Sequence, residues 1–348
     1  MAITEKNVID VLKEILYFPK GDNIINLNMV EDIQVASDRI SFTLVFEKLE
    51  GPAINIVQEQ ATKKLKDTLG ETIQVEINAI AEKDRGRGPL GKVKHVIAVA
   101  SGKGGVGKST VAANLAVSFA RKGYKTAMVD ADIYGPSIPV MFGLEGQRPA
   151  SIDIDGKPKI VPIIKHDVQL VSIGFFVEPD QPLIWRGPMA SSTLNQLFND
   201  THWDEIDIMV IDLPPGTGDI QLTLATSLKV DGAVMVSTPQ KVAVSDVRKA
   251  VSMFRQDKIE IPVLGIVENM AWFTPAELPD NKYYIFGKGE CEKYAQEAGL
   301  PIIGRIPMVQ SVAESGDQGN PISLKDNDPV SNAFNELAEN VIQKLNDK

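Results

Sequence analysis

A glycine- and lysine-rich run at residues 102–110 has the composition and spacing to bind a phosphate chain. The run fits the pattern G-x-x-x-x-G-K-[ST] and consists of Gly102, Lys103, Gly104, Gly105, Val106, Gly107, Lys108, Ser109 and Thr110. In this pattern successive backbone N–H groups surround the phosphates. A lysine, here Lys108, reaches the outer phosphates, and a hydroxyl, here Ser109, ligates Mg²⁺. The sequence therefore predicts a site for ATP and Mg²⁺.

The same run also fits the dinucleotide fingerprint G-x-G-x-x-G, with Asp130 near the expected place of a ribose-binding acid. A dinucleotide loop has no use for a buried cation followed by a hydroxyl. Lys108 and Ser109 therefore favour the triphosphate interpretation.

Three aspartates at the ends of apolar runs are candidates for binding Mg²⁺ or for catalysing hydrolysis of the nucleotide. Asp130 and Asp132 alternate after the run 126–129, and beside a phosphate loop one carboxylate can join the Mg²⁺ shell while the other orients the attacking water. We assign Asp130 to the metal shell and Asp132 to the water. Asp212 ends the run 208–211 in the Walker B pattern and is expected on the Mg²⁺ side. Residues 213–219 then resemble a switch loop that senses the γ-phosphate, with a rigid turn as the alternative.

Two further residues are candidates for contacts with the base. The amide of Asn269, at another strand end, can pair with a donor and an acceptor on adenine, and the ring of Pro307 can pack on it. A helix cap and a loop proline are equally consistent with the spacing.

Composition excludes several classes of protein. The chain has 348 residues, a net charge of −10 and 43% hydrophobic residues, which indicates a globular protein and argues against non-specific binding to nucleic acid or anionic membranes. No run approaches the length of a membrane span, and the first ten residues lack an apolar signal core. The single cysteine, Cys291, excludes internal disulfides and fits a reducing cytoplasm.

The chain divides into two predicted domains. Residues 1–80 indicate a small α+β domain: a helix over 5–17, strands over 33–36 and 40–46, a helix over 53–69 and a strand over 73–77. Residues 81–94 are charged and glycine-rich and are predicted to be a linker. Residues 95–348 alternate strand and helix patterns, as in an α/β domain with a doubly wound, mostly parallel sheet. Its expected strands are 95–100, 126–129, 206–211, 233–236, 263–267 and 302–306, and its last helix is 332–345.

A second lysine in the loop, Lys103, points to a more specific group of nucleotide-binding proteins. The run matches G-K-G-G-x-G-K-[ST], and so resembles the deviant Walker A ATPases. This resemblance implies that the chain forms a homodimer around two ATP molecules, with Lys103 of each subunit reaching the partner's nucleotide. Lys103 as a solvated loop residue is the alternative.

Six further segments make the resemblance more specific. They are DADIYGPS at 130–137, WRGPM at 185–189, IDLPPGTGD at 211–219, STPQ at 237–240, VENMAWF at 267–273 and the strand and helix around the loop. Together they are similar to the Mrp/ApbC branch, the iron–sulfur cluster carrier proteins, over nearly the whole chain. Residues 1–80 resemble the domain of unknown function 59. The resemblance implies slow, Mg²⁺-dependent ATP hydrolysis and transfer of iron–sulfur clusters to apo iron–sulfur proteins, with assembly factors as further partners.

One segment departs from that pattern. The family usually has C-P-x-C after E-N-M, but residues 273–279 contain no cysteine and no histidine. Cys291 lies further on, at the start of an expected helix whose N-terminus would stabilise a thiolate, so it is the candidate cluster ligand, and Glu277 and Asp280 are possible additional ligands. A small buried hydrophobe is the alternative for Cys291. Two other functions remain open: a MinD/ParA-like regulatory ATPase, and a scaffold whose cluster binding has lapsed.

Overall fold

A computed structural model describes residues 3–35, 39–49, 51–81, 90, 92–154, 156–177, 187–218, 221, 224, 228–256, 259–275, 277–278 and 280–347. Internal contacts divide the chain into two compact units, Met1–Gly91 and Lys92–Lys348. The predicted linker 81–94 falls largely outside the described residues. Within the described residues, no helix is both long enough and apolar enough to cross a bilayer.

The first unit is a three-stranded sheet covered by two helices. Its elements are α1 (Glu5–Leu12), β1 (Leu16–Tyr17), β2 (Asp22–Asn23), β3 (Val30–Val35), β4 (Arg39–Phe46), α2 (Ala53–Leu69) and β5 (Gln74–Ala81). Strand β4 is central, antiparallel to β3 and parallel to β5. Buried side chains of α1, α2 and the sheet form one core, including Val8, Leu12, Leu44 and Leu65.

The first helix is shorter than the sequence predicts. Thr4 caps it with a reciprocal capping box to Asn7, but it ends at Leu12 instead of residue 17. Leu16 and Tyr17 then pair with Asn23 and Asp22 as a short antiparallel ladder. This pairing needs extended backbone at Leu16 and Tyr17, so the helix cannot continue to residue 17.

The second unit is built on an eight-stranded sheet, whose order is β10-β11-β7-β12-β6-β13-β14-β15. Strand β10 is antiparallel to its neighbour, and the other seven are parallel. The strands of this unit, including the separate hairpin β8–β9, are β6 (Val93–Ser101), β7 (Thr126–Asp130), β8 (Ser151–Ile154), β9 (Lys157–Ile160), β10 (Ile163–Lys165), β11 (Val168–Ser172), β12 (Ile206–Asp212), β13 (Gly232–Ser237), β14 (Val263–Phe273) and β15 (Ile302–Met308).

Helices connect the parallel strands, as expected for a doubly wound sheet. They are α3 (Lys108–Arg121), α4 (Ile138–Met141), α5 (Gly187–Asn199), α6 (Lys241–Phe254), α7 (Glu290–Ala298), α8 (Gln310–Asp317) and α9 (Pro329–Asn346). The last begins where the side chain of Asp328 accepts from the N–H groups of Val330 and Ser331, with Pro329 in its first turn.

A large core lies between the sheet and the pair α3 and α9. Phe119 of α3 and Phe334 of α9 are fully buried there against strand residues such as Ile97. The intervening residues Val96 and Ala98 are also fully buried, so both faces of β6 are covered. The central strands therefore form a rigid base, and their carboxyl ends meet at one edge of the sheet. No bounds were predicted from the sequence for strands β8–β11 or for helices α4, α5, α6 and α8.

Candidate functional site

The glycine-rich run is a loop between β6 and α3, as the sequence predicts. The strand ends at Ser101 and the helix begins at Lys108. Val106 is 2% exposed, so its side chain anchors the loop in the core. The first N–H groups of a helix have no partners within the helix, and the helix dipole favours negative charge there. The start of α3 is therefore suited to bind phosphate.

Gly107 must be glycine for two reasons. Its φ is +78°, in the left-handed region where a side chain is strained. A Cβ at this position would also overlap the side-chain nitrogen of Asn269. The loop and the strand β14 therefore approach each other closely here.

The ammonium of Lys108 lies between two carboxylates. Its Nζ pairs with Oδ1 of Asp212 and lies 3.4 Å from Oδ2 of Asp132. It also lies 3.3 Å from the hydroxyl of Ser109. The Lys108 side chain is only 6% exposed, and a buried cation needs such partners. The fold thus brings together four of the residues that the sequence singled out.

The carboxylate of Asp212 fits a role in holding Mg²⁺. Asp212 ends β12 and is fully buried, and this burial raises its pKa, against the opposing charge of Lys108. Among the described residues its Oδ2 has no hydrogen-bond partner, which is costly for a buried polar atom. A hard cation takes such an oxygen as a ligand. The Ser109 hydroxyl and the Asp212 carboxylate both lie within hydrogen-bond distance of the Lys108 ammonium, so the two predicted Mg²⁺ ligands are close together.

Asp132 lies on the outer side of the Lys108 ammonium. Its side chain is 13% exposed, whereas that of Asp212 is not exposed at all. The carboxylate therefore borders the space in front of the lysine that is predicted to reach the outer phosphates. This placement is consistent with orienting a water molecule there.

Asp130 has a different environment from the one expected. Its Oδ1 accepts from the N–H of Asp132 at 3.2 Å, and its Oδ2 accepts from the N–H of Ile138 at 3.2 Å and the hydroxyl of Ser172 at 3.0 Å. Burial, followed by the charge of Asp212, raises its pKa to about 7. Because both oxygens are engaged by the chain itself, the structure argues against the predicted metal-shell role. Asp130 instead supports the segment that follows β7.

The segment after β12 is tied to the strand that leads into the phosphate loop. The N–H of Leu213 donates to the carbonyl of Val99 at 3.0 Å, and the N–H of Gly216 donates to that of Ser101 at 2.9 Å. The predicted switch residues 213–218 thus lie beside the loop, while residue 219 falls outside the described residues. A γ-phosphate and this segment would be neighbours, as the switch hypothesis requires.

Asn269 contacts the phosphate loop directly. Its Nδ2 donates to the carbonyl of Val106 at 2.8 Å, and the residue is 6% exposed. The predicted double pairing with adenine needs one N–H and the carbonyl oxygen of this amide, and the bond to Val106 uses one of its two N–H groups. The second N–H and the carbonyl oxygen remain for a base, while the bond that the structure shows is to the loop. The geometry makes Asn269 a support for the loop.

Pro307 is half-buried near the end of β15. The adjacent residue Ile306 pairs with Asn269, so both predicted base contacts lie at the same edge of the sheet. Sequence reasoning missed the ion pair next to them: Nε of Arg305 lies 3.1 Å from Glu268, which is only 6% exposed. The available signal was Glu268, an acidic residue at the end of an apolar strand. A carboxylate buried in such a place needs a cationic partner, which predicts an ion pair.

Cys291 differs from its prediction. It is the second residue of α7, but the side chain is 1% exposed and its Sγ donates to the carbonyl of Thr238 at 3.4 Å. Burial, followed by the negative charge of Glu268, raises the pKa of the thiol to about 12. The expected thiolate is therefore wrong in this conformation, because desolvation outweighs the helix N-terminus. The structure therefore favours the alternative interpretation, in which Cys291 is a small, buried, apolar side chain.

The suggested additional cluster ligands do not change this picture. Glu277 and Asp280 are both exposed. In the described part of the chain, no group of three or more histidine, cysteine, aspartate or glutamate residues is arranged to hold a metal ion. The described residues therefore provide no cluster site within one subunit.

Comparisons with known proteins agree with the fold and the loop. Residues 92–342 match the family described as NUBPL iron-transfer P-loop NTPase, and residues 5–78 match the family described as iron-sulfur cluster assembly protein. An iron-sulfur cluster carrier protein of Synechocystis sp. is 39% identical over 351 residues, covering 99% of this chain and 98% of the relative. Another, from Aquifex aeolicus, is 50% identical over 259 residues, covering 74% of this chain and 69% of the relative.

Two solved structures are similar to a large part of the chain. A nucleotide-binding protein from Archaeoglobus fulgidus, in complex with ADP, has 37% identity and a TM-score of 0.60, covering 68% of this chain and 91% of that one. The cell division ATPase MinD of Pyrococcus furiosus has a TM-score of 0.51 at 21% identity, covering 72% of this chain and 98% of that one, and supports the fold alone. With the match over residues 92–342, these findings show that the chain belongs to the NUBPL iron-transfer P-loop NTPase family.

Proposed function

We propose that the chain is a slow, Mg²⁺-dependent ATPase that carries iron–sulfur clusters and delivers them to apoproteins. The observation that carries the ATPase part is the position of Lys108, between Asp132 and Asp212 at the start of α3. Lys108 begins α3, Asp212 ends β12 and Asp132 follows the end of β7, so the three charges meet beside a loop whose backbone suits phosphate.

Each residue of this group has a distinct part in the reaction. Lys108 would exchange its carboxylate partners for the outer phosphates, and Ser109 and the freed Asp212 would hold Mg²⁺. Bound Mg²⁺ supplies positive charge to the phosphate oxygens. Asp132 orients the attacking water as general base, and the N–H groups of the loop stabilise the developing charge.

Lys103 supports the proposal of a homodimer. In the part of the chain that the structure describes, its ammonium forms no ion pair, whereas Lys108 forms two. One subunit thus uses only one of its two loop lysines for its own carboxylates. We assign the other to the partner's nucleotide, where a cation stabilises transition-state charge.

Complementation tests this assignment. Lys103→Ala and Asp132→Ala should each abolish most turnover, and mixing the two should restore part of it, because a heterodimer then has one complete site. A mixture as inactive as its parents would exclude action across the interface.

The cluster-carrier part is supported by family membership and by relatives that are named iron-sulfur cluster carrier proteins. Residues 5–78, matched to an iron-sulfur cluster assembly family, suggest contact with apo iron–sulfur proteins or assembly factors. The cluster is cargo on this view, and we place the protein in the cytoplasm, where a lone thiol stays reduced.

One observation favours a second candidate, a scaffold or MinD/ParA-like regulatory ATPase without cluster binding. Cys291 is buried, and no three or more histidine, cysteine, aspartate or glutamate side chains among the described residues are grouped to hold a metal ion. Both candidate functions include ATP hydrolysis, but only the carrier binds an iron–sulfur cluster.

Two measurements separate these possibilities. ATP turnover should require Mg²⁺, stop with EDTA and be lost in Lys108→Ala, and turnover retained in that variant would contradict the ATPase site. Iron and sulfide analysis after anaerobic reconstitution should find cluster in a carrier. Active ATPase without iron or sulfide would favour the scaffold.

A further inference from the structure

Three neighbouring strands end in polar side chains that lie in one row. Strands β11, β7 and β12 end at Ser172, Asp130 and Asp212, and the register pairs Ser172 with Asp130 and Asp130 with Asp212. All three residues are fully buried. Asp212 belongs to the proposed Mg²⁺ site, but Ser172 has no part in the chemistry described so far.

The hydroxyl of Ser172 is fixed on both sides. It accepts from the N–H of Gly174 at 3.0 Å and donates to Oδ2 of Asp130 at 3.0 Å. A hydroxyl has only one hydrogen to donate, so these two bonds define its orientation. The other oxygen of Asp130 accepts from the N–H of Asp132. A continuous chain of hydrogen bonds thus runs from Gly174 to the backbone of Asp132.

Packing reinforces this connection. A Cβ on Gly174 would lie 3.0 Å from Cγ of Pro139 and 3.1 Å from Cβ of Pro136. The 3-10 turn Ile173–Phe175 is therefore seated directly against the segment that follows Asp132. Close-packed contacts of this kind transmit displacements instead of absorbing them.

Building on the proposed ATPase function, we propose that Ser172 is a positioning residue that holds Asp132 in place through Asp130. Ser172 is buried and bonded to the chain's own groups, so it acts through its neighbours. Without its hydroxyl, Oδ2 of Asp130 keeps only the N–H of Ile138, and the N–H of Gly174 loses its partner. Catalytic geometry depends on such supporting bonds, because small misplacements of a reacting group cost much of the rate.

Kinetics of Ser172→Ala test the catalytic consequence. We expect kcat to fall about tenfold while the Kd for ATP changes by no more than about twofold, because the phosphate loop keeps its own contacts. Ser172→Cys, with a weaker donor of similar shape, should be intermediate. Ser118→Ala is the matched control: this serine is also fully buried, but its hydroxyl has no partner among the described residues, so its kcat should match the wild type.

Hydrogen exchange tests the relay independently of turnover. In Ser172→Ala, the amides of Asp132 and Ile138 should exchange faster than in the wild type, while those of the loop 102–108 should not change. The proposal would be overturned if Ser172→Ala had the same kcat as the wild type, or the same exchange rates at both amides. It would also be overturned if the variant lost ATP affinity and Tm in parallel with kcat, because that pattern indicates a merely structural role. If the wild type itself fails to hydrolyse ATP, the proposed function fails, and exchange still decides whether Ser172 holds the segment.

Discussion

The side-chain amide of Asn269 donates to the carbonyl oxygen of Val106 at 2.8 Å and joins the end of β14 to the phosphate loop. The two residues are 163 positions apart, and Gly107 leaves the space that the contact needs. The loop is therefore held from the strand beside it as well as by its own glycines.

Replacing this amide by a carboxylate should disturb the loop. In Asn269→Asp the side chain loses its donor and faces the Val106 carbonyl with negative charge, so we expect the affinity for ATP to fall about tenfold. Isothermal titration with a non-hydrolysable ATP analogue measures the effect. Asn340→Asp removes an equivalent bond to the Ile303 carbonyl, remote from the loop, and should leave the affinity unchanged. Equal losses in the two variants would contradict the role of Asn269.

The two aspartates beside Lys108 should give different phenotypes. Asp132→Asn should preserve the binding of Mg²⁺ and ATP but reduce kcat by about 10² or more, because an amide cannot take a proton from water. Asp212→Asn should instead raise the Mg²⁺ concentration needed for half-maximal turnover. Magnesium titrations of turnover and of ATP binding distinguish the two. Exchanged phenotypes would reverse the assignment of roles.

The thiol of Cys291 should be unreactive in the native protein. Its pKa of about 12 leaves almost no thiolate at pH 8, and the side chain is buried. Iodoacetamide should therefore label it only in denaturant, as mass spectrometry of the intact chain can show. Labelling of the native chain at the rate of an exposed thiol would restore Cys291 as a candidate cluster ligand.

Asp130 should make stability depend on pH. Its pKa is raised to about 7 in the folded chain, above the usual value for aspartate, so the folded state holds a proton that the unfolded state has lost. The resulting stability is fully present below about pH 4 and is lost as the pH rises through 7, at no more than about 1.4 kcal/mol per pH unit.

Denaturant unfolding in EDTA, from pH 4 to 8, tests this dependence. The free energy of unfolding of the wild type, measured relative to Asp130→Asn, should fall up to about pH 7 and then level off. Parallel profiles for the two proteins would mean that Asp130 is ionised throughout the range.

Much of the site was predictable because its signals are local. The phosphate loop is contiguous in sequence, so spacing alone identifies its glycines, Lys108 and Ser109 as one candidate site. Asp132 and Asp212 were predictable for a related reason: apolar runs mark parallel strands, whose carboxyl ends share one edge of a sheet. The doubly wound architecture followed from the same alternation, whereas α1 was predicted too long because its end depends on a strand pairing.

Only the tertiary structure decided how the remaining residues act. Ser172 contacts Asp130 because β11 and β7 are neighbours in the sheet, although they are distant in sequence. Asn269 contacts Val106 because the end of β14, which β13 separates from β6, approaches the phosphate loop. The sequence placed Cys291 at a helix start among charged residues, which favours a thiolate, but packing against Thr238 removes it from water and reverses that preference. Sequence determines which groups are available, while register and burial determine which of them face the nucleotide and which are used to hold others in place.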